Sequence, residues 1–315
     1  MNLKEIIKGI LTYVPGLYNP KRGSTGGTNS ARYCYSVWLR HLILAHQNGL
    51  CIQPRVVAEL GPGDSLGTGL AALLSGAEKY YALDVVEYAD SAANLDIFEE
   101  LISLFNERTP IPDEQEFPAV RPLLQSYEFP HNILRKTHLE WALAPERIRL
   151  IRQALVEPDT HTANPIGIRY FVPWDDAGVI RKGSVDMIFS QAVLEHVEDL
   201  CSTYGTLYRW LNRGGFMSHQ IDMSSHDRAT RWNGHWAYSD LTWKLIKGRR
   251  PYLINRQPYS MHRLLLSKSG FEIAFEQKTS DISGIMRKQL ASAFRDISED
   301  DLTTRTVHVL ARKNV

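Results

Sequence analysis

Cysteine is scarce: 3 in 315 residues, Cys34, Cys51 and Cys201, far apart and without a C-x-x-C pair. That excludes a disulfide framework, offers no zinc spacing, and points to reduced thiols in a cytoplasm. Neither sign of charge is in excess, since 36 Lys and Arg stand against 35 Asp and Glu for a formal net charge of +1. Nothing therefore draws the chain as a whole toward nucleic acid or an anionic membrane. Long apolar runs are missing too, and no segment approaches the roughly 18 consecutive residues of a membrane span, so no integral membrane association is expected. Near the start, Ile6, Ile7, Ile10 and Leu11 recur at helical spacing, but Lys4, Glu5 and Lys8 interrupt them. The stretch reads as neither signal peptide nor span; it is expected to be a short helix packed on its own domain, with a membrane-surface anchor as the other reading.

What remains is ordinary globular material, with 43% hydrophobic and 23% charged residues, enough for two domains or for one large α/β domain carrying insertions. A turn-rich break at residues 19–30 reads as a mobile loop and precedes an aromatic helix at about 31–46. From Val56 the pattern becomes a short apolar run, a glycine-rich turn, a small-residue helix near 70–74 and a second apolar run at 80–86. That is a βαβ unit with strands apolar enough to be buried on both faces. Residues from about 90 to 165 then read as a helical insertion, because a connection of that length far exceeds the usual 2–6 or so residues. Strands are expected at 168–171, 185–189 and 215–221, a helix at 197–211, a further helix near 261–269 capped by Gly270, and strands at 271–276 and 306–311. The division expected is 1–50 as an N-terminal helical cap and loop and 51–315 as the α/β domain, with an arm at about 223–262.

In an open parallel sheet, ligands bind beyond the carboxyl ends of the strands, so the residues after each strand carry the chemistry. The first strand runs into Glu59-Leu60-Gly61-Pro62-Gly63-Asp64-Ser65-Leu66-Gly67, where Gly61 and Gly63 permit close approach of a ligand to the backbone. The second ends at Asp84, about 20 residues on, where a carboxylate accepts two hydrogen bonds from the vicinal hydroxyls of a ribose. A nucleoside-containing cofactor follows. The diphosphate of a dinucleotide calls for G-x-G-x-x-G, but Leu66 occupies the third glycine position, and Glu59 suits a cationic ligand better than a diphosphate.

Here the sequence resembles the class I S-adenosylmethionine-dependent methyltransferases, whose first motif, E-x-G-x-G-x-x-x-G, is matched by Glu59, Gly61, Gly63 and Gly67. The likeness continues through Asp84, through residues 185–197 with Leu194-Glu195-His196-Val197, and through Leu211-Asn212-Arg213-Gly214-Gly215 before the fifth strand. It implies a Rossmann-like, seven-stranded, mostly parallel sheet with helices on both faces. S-adenosyl-L-methionine is the implied cofactor, held by Glu59, Gly61, Pro62, Gly63, Ser65 and Gly67, by Asp84 and Val85, by Trp174 and Asp175 after the third strand, and by Ser190 and Gln191 at the end of the fourth.

The resemblance also implies methyl transfer to a small molecule or glycan intermediate. Oxygen is the expected acceptor, with an amine acceptor, a non-catalytic cofactor-binding protein and an NAD-dependent enzyme as the other readings. A hydroxyl acceptor needs a base. His226, His196 and Asp222, after strands four and five, are the candidates, with His226 ranked first. His196, Asp222, His226 and Asp227 are of ligand type, but no spacing among them demands a metal, and none is expected. His219, inside a strand, reads as a satisfied buried side chain. The aromatic and basic residues of the arm, Trp232, Trp236, Tyr238, Trp243 and Tyr252 among them, either line an acceptor pocket or pack a lid. Residues 24–30 and part of the insertion are expected to close over the occupied site. Oligomeric state is left open.

Overall fold

The strands at the middle of the molecule are mostly apolar, and burial on both faces is the structural outcome. In this computed structural model residues 3–14, 26–157 apart from 88 and 90, 164–250 apart from 175, and 252–313 are described, the side chains at 91 and 92 excepted. The elements in chain order are α1 (Leu3–Leu11), α2 (Ala31–Gln47), β1 (Val56–Leu60), α3 (Gly67–Leu74), β2 (Lys79–Leu83), α4 (Ser91–Glu107), α5 (Lys136–Ala142), α6 (Pro145–Val156) and β3 (Gly167–Phe171). They continue with β4 (Val185–Gln191), α7 (Leu200–Trp210), β5 (Leu211–Asp222), α8 (Asp240–Lys247), α9 (Tyr259–Lys268), β6 (Phe271–Ser280), α10 (Glu299–Thr303) and β7 (Thr304–Lys313).

The sheet has seven strands in the order β3-β2-β1-β4-β5-β7-β6. The first five in that row pair in parallel, and β7 runs antiparallel to both its neighbours. This is the Rossmann-like, mostly parallel α/β sheet expected above. Alternate side chains of β1 serve opposite layers. Val57 joins the core formed with α2, α3, α4 and α6, and Ala58 and Leu60 join the core formed with α7 and α9. Among the described residues, no helix is long and apolar enough to cross a membrane.

Three departures from the expected elements have local causes. The helix expected at 197–211 starts at Leu200, because the Asp199 side chain caps it by accepting from the Ser202 amide at 2.9 Å. Leu194–His196 forms a separate single turn of 3-10 helix instead. α2, placed above with the N-terminal cap, is packed in the main core through Tyr35, Trp38, Leu39 and Leu42. Within the insertion, α4 and α6 pack on the sheet layer, but 108–135 is an irregular strap. The buried Arg40 of α2 holds that strap, donating to the Pro112 carbonyl at 2.9 Å and to the Pro122 carbonyl. The expected loop at 19–25 lies outside the described residues.

β1 connects through α3 to β2 on one side while β4 lies on its other side. Strand order reverses there, and the loops after β1 and β4 part to leave a crevice.

Candidate active site

A cavity of about 570 Å3 lies at that reversal, lined by the carboxyl ends of β1, β2 and β4, a size usual for a small-molecule site. Its floor is built by glycine. Gly61 has φ +63°, and a Cβ there would lie 2.6 Å from Val193 Cγ2, so the loop after β1 can abut the loop after β4 only without a side chain. Gly67 serves another purpose: a Cβ there would sit 2.5 Å from Cys34 Sγ, so it lets α3 pack against α2.

Two carboxylates face the cavity. Glu59 is buried and accepts from the Tyr80 hydroxyl at 2.5 Å. Tyr80 reaches it across Gly69, where a Cβ would lie 2.0 Å from the ring. Burial pushes the Glu59 carboxyl up to about 8, against the pull of hydrogen bonds from Tyr80 and Thr68. Asp84 is raised as well, by burial, and the amides of Val85, Val86 and Gly63 oppose the shift. The Gly63 amide thus links the glycine turn to the acid after β2.

Of the residues expected to hold a cofactor, Glu59, Gly61, Gly63, Asp84, Val85, Trp174 and Gln191 line this cavity. Trp174 packs against Trp210 with ring centroids 5.8 Å apart, and Gln191 donates to the Arg121 carbonyl at 3.0 Å. Asp175 lies outside the described residues. Pro62, Ser65, Gly67 and Ser190 do not line the cavity but stand behind its wall. The Ser65 hydroxyl donates to the Thr28 carbonyl and accepts from the Gly67 amide at 3.0 Å, while Ser190 shares a 2.7 Å hydrogen bond with His219 Nδ1 inside the sheet. His219 is therefore satisfied at one nitrogen, and its buried Nε2 has no partner.

Sequence reading placed Thr28 only in the covering loop and assigned no role to Tyr33, at the start of α2, or to Asp199, Ser202 and Thr203, at the start of α7. Both are helix N-termini brought to the crevice by topology, and neither directly follows a strand. Of the expected covering loop, 24 and 25 lie outside the described residues, and Thr28 packs on the glycine turn by accepting from the Asp64 amide at 2.8 Å.

On the far side of the cavity the candidate catalytic residues meet. His196 lines it, and the Nδ1–H donates to the Tyr252 carbonyl at 2.8 Å, which leaves Nε2 with a free lone pair. The His226 ring stands edge-on to it, centroids 5.0 Å apart, and His226 Nε2 lies 3.6 Å from Asp222 Oδ2. His226 and Asp222 do not themselves line the cavity. Between them is a residue the sequence reading left unassigned: Glu195, 4% exposed, with neither carboxylate oxygen in a hydrogen bond. Burial and then the charge of Asp222 push its carboxyl well above the usual range, with the backbone amides of Glu195 and Asp222 acting in the other direction. Asn255 clamps the turn, donating from Nδ2 to the carbonyls of Leu194 and Val197, both at 2.8 Å. Most of the arm's aromatic residues pack on one another: Trp236, Tyr238 and Trp243 are buried, and only Tyr252 of the five reaches the cavity.

No family model matches the chain, and no curated protein matches it. Solved structures do. A methyltransferase dependent on S-adenosylmethionine from Mesorhizobium loti is 15% identical with a TM-score of 0.39, over 82% of this chain and 91% of that one. A phosphoethanolamine N-methyltransferase 2 from Haemonchus contortus, solved with phosphomonomethylethanolamine and S-adenosylhomocysteine, is 14% identical with a TM-score of 0.42, over 88% of this chain and 53% of that one. A SAM-dependent methyltransferase from Methanosarcina mazei is 11% identical with a TM-score of 0.43, over 86% and 97%. Identities this low speak to the fold alone, and TM-scores this low add no weight; the site stands on its own geometry.

Proposed function

We propose that the protein transfers the methyl group of S-adenosyl-L-methionine to a hydroxyl of a small-molecule or glycan intermediate. The observation that supports this most is that Glu59 and Asp84 face one cavity across a turn whose glycines leave the backbone bare. A ribose would meet the Asp84 carboxylate, and a cationic group would meet the buried Glu59. Trp174 offers an aromatic face for a base. The cofactor supplies an electrophilic methyl carbon on sulfonium, so the chain's task is to hold the acceptor in line with it and keep water out. On the acceptor side, His196 presents a lone pair to the cavity, and His226 and Asp222 stand behind it to orient the hydroxyl and receive its proton.

Calorimetry tests the donor site. The wild type is expected to bind S-adenosylmethionine and S-adenosylhomocysteine, and NAD far more weakly. Asp84→Ala should weaken binding by at least about tenfold, since each hydrogen bond to a charged acceptor is worth about 1.5–3 kcal/mol. Unchanged affinity would overturn the assignment of Asp84. Methyl-labelled cofactor supplied with fractionated sugars and metabolites tests the reaction, because only an enzyme moves label onto an acceptor.

A further inference from the structure

The group at the turn after β4 is built almost entirely of hydrogen-bond acceptors. Glu195 offers two unpartnered buried oxygens, and His196 offers the Nε2 lone pair, its other nitrogen being committed to Tyr252. Asp222 offers Oδ2, its Oδ1 already accepting from the Ser224 amide at 2.8 Å. His226 Nε2 is itself buried without a partner and lies 3.8 Å from Glu195 Oε1 and 3.6 Å from Asp222 Oδ2. Those separations are too long for hydrogen bonds. The separation between His226 and Glu195 is near the roughly 3.4 Å between neighbouring donors around a tetrahedral ion bonded at about 2.0–2.2 Å.

We propose that Glu195, His196 and His226 bind a divalent first-row transition-metal ion, of the Zn2+ or Co2+ kind, at the edge of the cavity. One donor atom from each already lies within 4.8 Å of the others. Two imidazoles with a carboxylate favour such an ion over Mg2+ or Ca2+, which take oxygen. His196 comes with its support in place: the Tyr252 carbonyl fixes its ring, as outer partners of metal ligands do. The backbone is held unusually around the same spot, with positive φ at Ala192, His226, Asp227 and Tyr252, none of them glycine. Such conformations are costly and gather where a site requires them.

Three protein ligands leave a position open toward the cavity that His196 lines. This part rests on the methyl-transfer reading: an acceptor hydroxyl fills the open position and gives its proton to Asp222. Its oxygen then bonds to the methyl carbon as the bond from that carbon to sulfur breaks, and sulfur keeps the electron pair.

Untagged protein stripped with EDTA and titrated with Co2+, followed by visible absorption and then by Zn2+ competition, tests the site. The wild type is expected to take up one Co2+ per chain, lose it to Zn2+, and melt at a higher temperature with either ion. Glu195→Gln and His226→Gln should each weaken Co2+ binding by at least about tenfold while binding S-adenosylhomocysteine as the wild type does. If Glu195→Gln does not fold, His226→Gln, in a partly exposed loop, gives the same reading. No Co2+ uptake by the wild type, or equal uptake by the folded variants, overturns the metal site. Loss of S-adenosylhomocysteine binding in a wild type that still takes up Co2+ overturns the donor reading and leaves the metal site standing.

Discussion

Glu59 is a carboxyl that the fold keeps largely protonated at neutral pH, because burial raises it to about 8. An ammonium or sulfonium brought into the cavity favours the ionised form, so binding of S-adenosylmethionine should drive a proton off. At pH 7 the release should be about one proton per molecule bound, and affinity should strengthen as pH rises toward about 8 and then level off. Calorimetry in buffers of different ionisation enthalpy measures this directly. Glu59→Gln should bind with neither proton release nor that pH dependence; release that persists in the variant would place the titrating group elsewhere.

Helix α1 shows how one small residue and one charge dock an element. At Gly9 a Cβ would lie 1.9 Å from the Leu245 carbonyl of α8, so glycine is needed for the two helices to touch. Glu5 is buried there and paired to Lys8 at 2.6 Å, Arg228 at 2.6 Å and Arg250 at 3.2 Å. Burial alone would raise its carboxyl, yet the hydrogen bonds from Lys8, Arg228 and Arg250 outweigh it and hold it at about 2. The sequence expectation of a short helix packed on its own domain is what the structure places here. Removing one partner of a buried pair costs about 3–5 kcal/mol, so Glu5→Ala should release α1 from the arm. Limited proteolysis within residues 3–14 should then be much faster than in the wild type; equal protection would show that Gly9 packing alone suffices.

At the scale of the molecule, five buried histidines among the described residues shape the response to acid. Burial pushes His41, His219 and His235 down to about 3 and His262 to about 4, and it lowers His308 well below its ordinary value. They sit in polar contacts within the layers, as where His41 Nδ1 meets Ser218 Oγ at 2.6 Å and that hydroxyl meets His308 Nε2 at 3.0 Å. Each is neutral when folded and titrates near 6.5 when unfolded, so between about pH 3 and 6.5 the unfolded chain binds more protons. Their contribution is therefore complete above pH 6.5 and is lost as pH falls, by up to about 1.4 kcal/mol per histidine per pH unit. Glu59 and Glu195, raised in the fold, act oppositely, and stability falls as pH climbs from about 4.5 through their folded values. Melting temperature should peak near pH 6.5, about where the histidine contribution is complete and the carboxyl loss continues. A flat profile from pH 4 to 8 would mean that these groups stay solvated.

The sequence by itself determined the sheet and brought Glu59, the glycine turn and Asp84 to the same crevice. Mostly apolar runs at Val56–Leu60 and Val185–Gln191, interrupted by Glu59 in one and by Asp186, Ser190 and Gln191 in the other, suit strands covered on both faces, and a glycine turn after the first strand with an acid after the second are local patterns readable from spacing. The far side of the cavity was legible only in part. His196, Asp222 and His226 stand out by residue type and by following strands, but Glu195 does not, since nothing in its neighbours along the chain announces that both its oxygens are buried and unpartnered. That follows from parallel pairing of β4 with β5, which sets the turn after one strand beside the loop after the other, and from Asn255 and Tyr252 closing over them. Tyr80 beneath Glu59 and the α7 N-terminus at the cavity belong to the same class. Burial and partnership between residues far apart in the chain are properties of packing, and only the tertiary structure decides them.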